Sequence, residues 1–185
     1  MFNQFLTIIF KSLKLDKTLY KDNTSYFELG FYYSVIIVVA TVVIQTIPNN
    51  VYISWMSKKG LWYEQEPISF RILLFISTSM WFLKSFFIYL VGIKIFPSKN
   101  TKCNYLKVLT TVGFAHSPLI FNFLVFNDSF LYGVMLTYIW YVSALVIGIN
   151  EIFSYENKLK SFLVSFVAPI VISLLLLVLY IKVSI

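Results

Sequence analysis

Five long apolar runs, separated by short polar segments, give the chain its pattern. Each run is close to the roughly 20 apolar residues that a helix needs to cross the hydrocarbon core of a bilayer. The pattern therefore predicts five transmembrane helices, at about residues 29–47, 72–96, 108–126, 130–149 and 162–181. The third run is the most polar, and only residues 127–129 separate it from the fourth.

The residues before the first run predict a short amphipathic helix, because apolar and polar side chains fall on opposite sides at 100° per residue. The apolar side holds Phe2, Phe5, Leu6, Ile9 and Leu13, and the polar side holds Asn3, Gln4, Thr7, Lys11 and Lys14. Two placements stay open. The helix lies in the cytoplasmic headgroup layer with Lys11 and Lys14 on anionic lipid headgroups, or it packs against the cytoplasmic ends of the spans. We divide the chain into this segment, 1–28, and a membrane domain, 29–185.

The loop after the first run carries aromatic residues among few charges. A turn at Pro48-Asn49-Asn50 is expected to end the first span. Tyr52, Trp55, Trp62 and Tyr63 follow it, and such rings favour the membrane interface. We therefore expect the loop at 48–70 to lie along the outer surface.

Composition agrees with the pattern of runs. Of the 185 residues, 59% are apolar and 12% are charged, whereas soluble domains are roughly 45–50% apolar and about 25% charged. A soluble domain of this length has too small a core for so many apolar side chains. The predicted fold class is therefore all-α, a polytopic integral membrane protein with five transmembrane helices and a short amphipathic N-terminal helix.

The net charge of +7 indicates orientation across the membrane. Ten basic residues fall in the N-terminal segment and in the loops after the second and fourth spans, and four fall on the opposite side. By the positive-inside rule the N-terminus is cytoplasmic and the C-terminus lies outside, in the cell membrane (the inner membrane if the source is a bacterium). The charges lie between apolar runs and form no basic surface, so nucleic-acid binding is not expected.

The sequence holds one cysteine, Cys103, and one histidine, His116, which together exclude an internal disulfide and make a protein-only metal site unexpected. Neighbouring residues on a helix point about 100° apart, so His116 and Ser117 do not pair as base and nucleophile. Paired acids and metalloprotease motifs are also missing. We predict that the protein is not an enzyme and needs no cofactor.

Two basic residues lie inside predicted spans, where a charge near the bilayer centre costs about 2.5–3.5 kcal/mol. Lys84 interrupts the second span, and His116 lies at similar depth in the third. Candidate partners for Lys84 are the Phe114 carbonyl, which Pro118 would free from its helical bond, and Asn122. Glu151 lies too near the cytoplasmic end of the fourth span for a tight ion pair. Lys84 is either a packing residue with a satisfied or neutral amine, or part of a cavity that receives an anion, lipid headgroup or proton.

Two stretches resemble the Yip-one family of Ypt/Rab-GTPase-interacting membrane proteins. The first contains Tyr89-Leu-Val-Gly92, a short basic loop, Tyr105-Leu-Lys-Val-Leu109 and Val112-Gly-Phe-Ala-His-Ser-Pro-Leu119. Within the first stretch, the family-like motif of the third span consists of Gly113, Phe114 and Pro118. The second stretch is Leu145-Val-Ile-Gly-Ile-Asn-Glu151 followed by the last span.

The resemblance covers about residues 29–183 and implies five spans with a cytoplasmic N-terminus. The short N-terminal region is similar to that of the compact prokaryotic-type branch.

Two functions follow as hypotheses. The first is a non-enzymatic protein of membrane organisation or a partner-binding scaffold, with the lipid bilayer, a second copy or another protein as partner. The second is a small transporter, channel or lipid-handling protein with a polar cavity around Lys84 and His116.

Overall fold

The computed structural model describes residues 2–20, 30–58, 69–98, 103–124 and 130–184, and these residues form helices and turns without any strand. The six α-helices are α1 (Phe2–Leu13), α2 (Gly30–Lys58), α3 (Phe70–Leu90), α4 (Tyr105–Ala115), α5 (Phe130–Phe153) and α6 (Lys158–Ser184). A 3-10 turn, Lys17–Tyr20, follows α1, a π-helical turn, Val91–Ile95, ends α3, and a 3-10 helix, Ser117–Leu124, follows α4. The all-α prediction is confirmed.

Two described helices are long and apolar enough to cross a membrane. They are Phe70–Ile95 and Tyr132–Phe153, and α2 adds a shorter apolar stretch, Gly30–Thr46. Large apolar side chains on the outer faces of α3 and α5 are exposed, among them Phe75 and Leu136. Exposed apolar faces on neighbouring helices are typical of contact with lipid or with another protein.

The predicted turn at Pro48-Asn49-Asn50 is wrong, because α2 continues through these residues to Lys58. A proline inside a helix removes one N–H and crowds the carbonyl four residues earlier, but it need not end the helix. Tyr52 and Trp55 therefore lie on α2. Trp62 and Tyr63 lie outside the described residues.

The third run is interrupted close to Pro118, because α4 ends at Ala115 and the 3-10 helix takes over at Ser117. Pro118 has no N–H to donate to the Phe114 carbonyl, and its ring crowds that carbonyl. The backbone tightens instead, with the Leu119 N–H donating to the His116 carbonyl at 2.9 Å. The most polar run is therefore an α-helix followed by a tighter helix.

The core lies where α2, α3, α4 and α5 meet, and every residue of α4 from Val108 to Ala115 is buried. Gly113 faces α2, where an added Cβ would collide with the Ser34 Cβ and lie 3.1 Å from the Ser34 Cα. Glycine at this position lets the two helices approach closely, as small residues do in membrane bundles.

Candidate functional site

Lys84 lies about two thirds of the way along α3 and meets Tyr141, halfway along α5. The Lys84 ammonium donates a hydrogen bond to the Tyr141 hydroxyl oxygen and lies 4.5 Å from the centroid of the Tyr141 ring. Tyr141 is 11 residues from the start of α5 and 12 from its end, about 16–18 Å in either direction. The basic side chain is thus held near the middle of α5 by an oxygen acceptor and an aromatic face.

His116 packs against the same tyrosine. Its ring meets the Tyr141 ring edge to face, with the centroids 4.9 Å apart. The His116 Nδ1 lies 2.6 Å from the Val112 carbonyl oxygen. Because a carbonyl can only accept, we assign the proton to Nδ1, which leaves Nε2 as an acceptor in the neutral ring.

Lys84, Tyr141 and His116 line one cavity of about 230 Å³ between α2, α3, the α4 end and α5. None of its described lining residues carries a carboxylate. The other polar lining residues are Thr41, Gln45, Ser77 and Tyr138. The structure therefore brings together, in one cavity, the two basic residues that the sequence placed at similar depth.

The other two intramembrane candidates lie elsewhere. The Asn122 side-chain oxygen accepts a hydrogen bond from the Thr137 hydroxyl, so Asn122 ties the 3-10 helix to α5 and does not serve Lys84. Glu151 lies ten residues beyond Tyr141 on α5, about 15 Å along the axis. Neither residue contributes to the cavity.

The Phe114 carbonyl, expected as an acceptor for Lys84, accepts from other donors, including a backbone N–H at the end of α4, which corrects that expectation. The Ser12 hydroxyl donates to it at 2.7 Å and the Ser117 hydroxyl at 2.8 Å. Pro118 cannot donate the usual helical hydrogen bond to the Phe114 carbonyl, and the Ser12 hydroxyl of α1 donates one instead. The Ser117 hydroxyl is also committed there.

Helix α1 packs against the bundle, and it does so near the middle of α5, away from the ends of that helix. The Trp140 indole N–H donates to the Leu13 carbonyl at 2.9 Å. Trp140 lies 13 residues from the end of α5, about 20 Å along its axis. The buried stripe of α1 is centred on Ile8 and Ser12, which are fully buried. The predicted apolar side contained neither of these two residues.

Two buried hydroxyls lie close together where the turn after α1 meets α4 and α5. Tyr20 belongs to that turn, and Thr111 belongs to α4. Tyr20 and Thr111 contact the site of Gly148, where an added Cβ would lie 3.0 Å from the Tyr20 ring and 2.5 Å from the Thr111 methyl. Neither hydroxyl has a partner with hydrogen-bond geometry in the described part of the chain. Burial raises the pKa of Tyr20 to about 12, and the nearby Ser12 hydroxyl lowers it by less.

Tyr141 is the central residue that sequence reasoning missed. A tyrosine within an apolar run carries no periodic signal, and many aromatic residues surround it. The same depth arithmetic that paired Lys84 with His116 could have identified it, since Tyr141 lies at the middle of the neighbouring span. Among the described residues there is no group of three or more histidine, cysteine or acidic side chains that could hold a metal ion.

Comparison with known families finds one match. A family model described as the Yip1 domain matches residues 14–180, which includes the cavity and the part of the chain that follows α1. No curated protein and no solved structure was found to match the chain.

Proposed function

Because the chain belongs to the Yip1 domain family, we propose that it is a non-enzymatic integral membrane protein that organises the membrane or serves as a scaffold for a protein partner. The family is not known as enzymatic. The proposal has five spans, a cytoplasmic N-terminus and an external C-terminus, in the cell membrane.

Close helix packing is the observation that carries the scaffold proposal. At Gly113 the backbones of α2 and α4 are so close that a methyl group in place of the glycine hydrogen would collide with Ser34. At Gly92 an added Cβ would meet the far end of the Phe153 ring, so this ring packs tightly against the turn that ends α3. A bundle held this tightly supports a protein that presents fixed surfaces to lipid and to partners.

Partners of this scaffold would meet it at two kinds of surface. The lipid bilayer, a second copy or another protein would contact the apolar outer faces of α3 and α5. Anionic headgroups would contact the basic N-terminal segment, where Lys14 is exposed and Lys11 donates a hydrogen bond to Thr18 at 3.2 Å.

Topology is tested with single cysteines in a Cys103→Ser background. Lys58→Cys reports the end of α2 and Lys158→Cys the start of α6, and both lysines are exposed. A water-soluble thiol reagent added outside intact cells should label the first and not the second. The opposite result would reverse the orientation, and labelling of both would refute the span assignment between them.

The transporter alternative has one observation in its favour, the cavity that Lys84 and His116 share. The variant Lys84→Met distinguishes the two functions. In a scaffold its free energy of unfolding should be unchanged or higher, since removing a buried charge often stabilises. If Lys84→Met kept its fold but abolished the flux of an anion or lipid in proteoliposomes, the scaffold function would be wrong.

A further inference from the structure

We propose that the cavity around Lys84 binds a phosphate group that carries a proton, either free phosphate or the phosphomonoester headgroup of a lipid. The inference goes beyond the proposed function, because a scaffold needs no ligand at this position. It concerns three side chains, Lys84, Tyr141 and His116, and the space that they enclose.

The first argument is charge. Lys84 is the only basic group besides the His116 ring in the lining, and the described lining residues include no acid. Its partner in the structure is a neutral phenol. A lysine in a membrane bundle normally pairs with an acid or with several acceptors, because isolation from water is expensive. An anion in the cavity would supply the missing counter-charge.

The second argument is the pattern of donors and acceptors. An ammonium has three donors, and Lys84 uses one on the Tyr141 oxygen. Since that oxygen accepts, the Tyr141 hydrogen points elsewhere, and it has no acceptor in the described part of the chain. Two sets of donors therefore face the space, from Lys84 and from Tyr141.

His116 contributes a hydrogen-bond acceptor to the cavity. With the proton on Nδ1 committed to the Val112 carbonyl, Nε2 is its uncommitted polar atom, and it accepts. A protonated phosphate has oxygens for the two donors and one O–H for Nε2. A carboxylate or a sulfate at neutral pH has no hydrogen to give, and would leave Nε2 unpaired.

The third argument is size. The cavity of about 230 Å³ equals the share of roughly seven or eight waters, at about 30 Å³ each. This space accommodates a phosphate group and a short linker. The ligand class is therefore a small or terminal phosphate.

The test measures ligand-induced thermal stabilisation of the full-length protein in a neutral detergent near pH 6, where a phosphomonoester still carries a proton for much of the time. The probes are sodium phosphate, sodium sulfate at equal ionic strength, dihexanoyl phosphatidic acid and dihexanoyl phosphatidylglycerol. Phosphatidylglycerol is the matched lipid control, because its phosphodiester has no ionisable hydrogen left to donate. The variants are Lys84→Met, Tyr141→Phe and, as a control for surface charge, Lys158→Met.

We expect phosphate or phosphatidic acid to raise the melting temperature of the wild type and of Lys158→Met. The apparent dissociation constant should weaken at least tenfold in Lys84→Met and severalfold in Tyr141→Phe, which keeps the ring and loses only the hydroxyl. A response to free phosphate identifies a soluble ligand, and a response to phosphatidic acid alone identifies a lipid headgroup.

Three results would overturn the inference: no response of the wild type to either phosphate probe, an unchanged response in Lys84→Met, or equal responses to sulfate and phosphate. If Lys84→Met does not fold, Tyr141→Phe decides alone, and an unchanged response there also overturns it. Failure of this inference leaves the scaffold function intact, because the topology test and the unfolding test of Lys84→Met in ligand-free detergent use no phosphate.

Discussion

The contact between Gly113 and Ser34 makes a prediction about how α2 and α4 are held together. Replacing Gly113 with alanine puts a Cβ against the Ser34 side chain and backbone, so α2 has to move. Overpacking of this kind costs about 1–3 kcal/mol, and the gain in helix propensity from glycine to alanine returns about 1 kcal/mol. We expect a net loss of up to about 2 kcal/mol for Gly113→Ala, and a larger loss for Gly113→Val, which adds two more methyl groups.

The measurement is the free energy of unfolding of the purified protein in detergent micelles titrated with SDS. Ser34→Gly is the matched second change, because it removes the Cβ that the new methyl group would meet. In a double-mutant cycle with Gly113→Ala, the interaction energy should reach about 1–2 kcal/mol in the direction of rescue. If Gly113→Ala were stabilised by its full propensity gain, or if Ser34→Gly gave no rescue, the close approach of the two helices would be refuted.

Three further predictions concern α1 and the buried hydroxyls. Trp140→Phe removes the hydrogen bond to the Leu13 carbonyl, worth about 0.5–1.5 kcal/mol, so proteolysis of the N-terminal segment should become about 2–12-fold faster. The control Trp81→Phe, which also loses an indole hydrogen bond to a backbone carbonyl but none to α1, should leave that rate nearly unchanged. Thr111→Val removes a buried hydroxyl without a partner, so the free energy of unfolding should rise by up to about 1–2 kcal/mol. The control Thr111→Ser keeps the hydroxyl and loses the packed methyl group, so it should lower the free energy of unfolding. Because the pKa of Tyr20 is raised from 10.0 to about 12 in the folded protein, its contribution to stability is complete below pH 10 and is lost as the pH rises toward 12; unfolding measured across that range should be less pH-dependent in Tyr20→Phe.

Periodicity and length were sufficient to predict the all-α fold, because both depend on local sequence. Lys84 and His116 were correctly placed at similar depth, since the rise per residue of a helix is fixed. The pattern failed at Pro48, where it predicted a turn, whereas at Pro118 it predicted the loss of the helical hydrogen bond to the Phe114 carbonyl. The helix continues through Pro48 and changes type at Pro118. What separates the two is tertiary: at the second proline the Ser12 hydroxyl takes the freed Phe114 carbonyl.

The partner of Lys84 could not be predicted for a related reason. The candidates considered were an acid, an amide and a freed carbonyl, whereas the acceptor is the hydroxyl of Tyr141, a residue usually counted as apolar within a span. Rotation of α5 about its axis decides which of its aromatic rings faces Lys84. Helices that are apolar on most sides leave that rotation undetermined by sequence pattern alone.

The docking of α1 also bears on the order in which the protein assembles during synthesis. The ribosome makes α1 well before two of the residues that hold it, since Phe114 and Trp140 lie 102 and 127 residues further along the chain than Ser12 and Leu13. At about 5–20 residues per second, these two partners are made roughly 5–25 seconds after α1. Tyr33 of α2, which donates to the Gln4 side chain, follows after only 29 residues, so α1 can contact α2 early, whereas its docking against α4 and α5 is a late step of assembly. A nascent chain that stalls before Phe114 is made would therefore lack both of these later hydrogen bonds to α1.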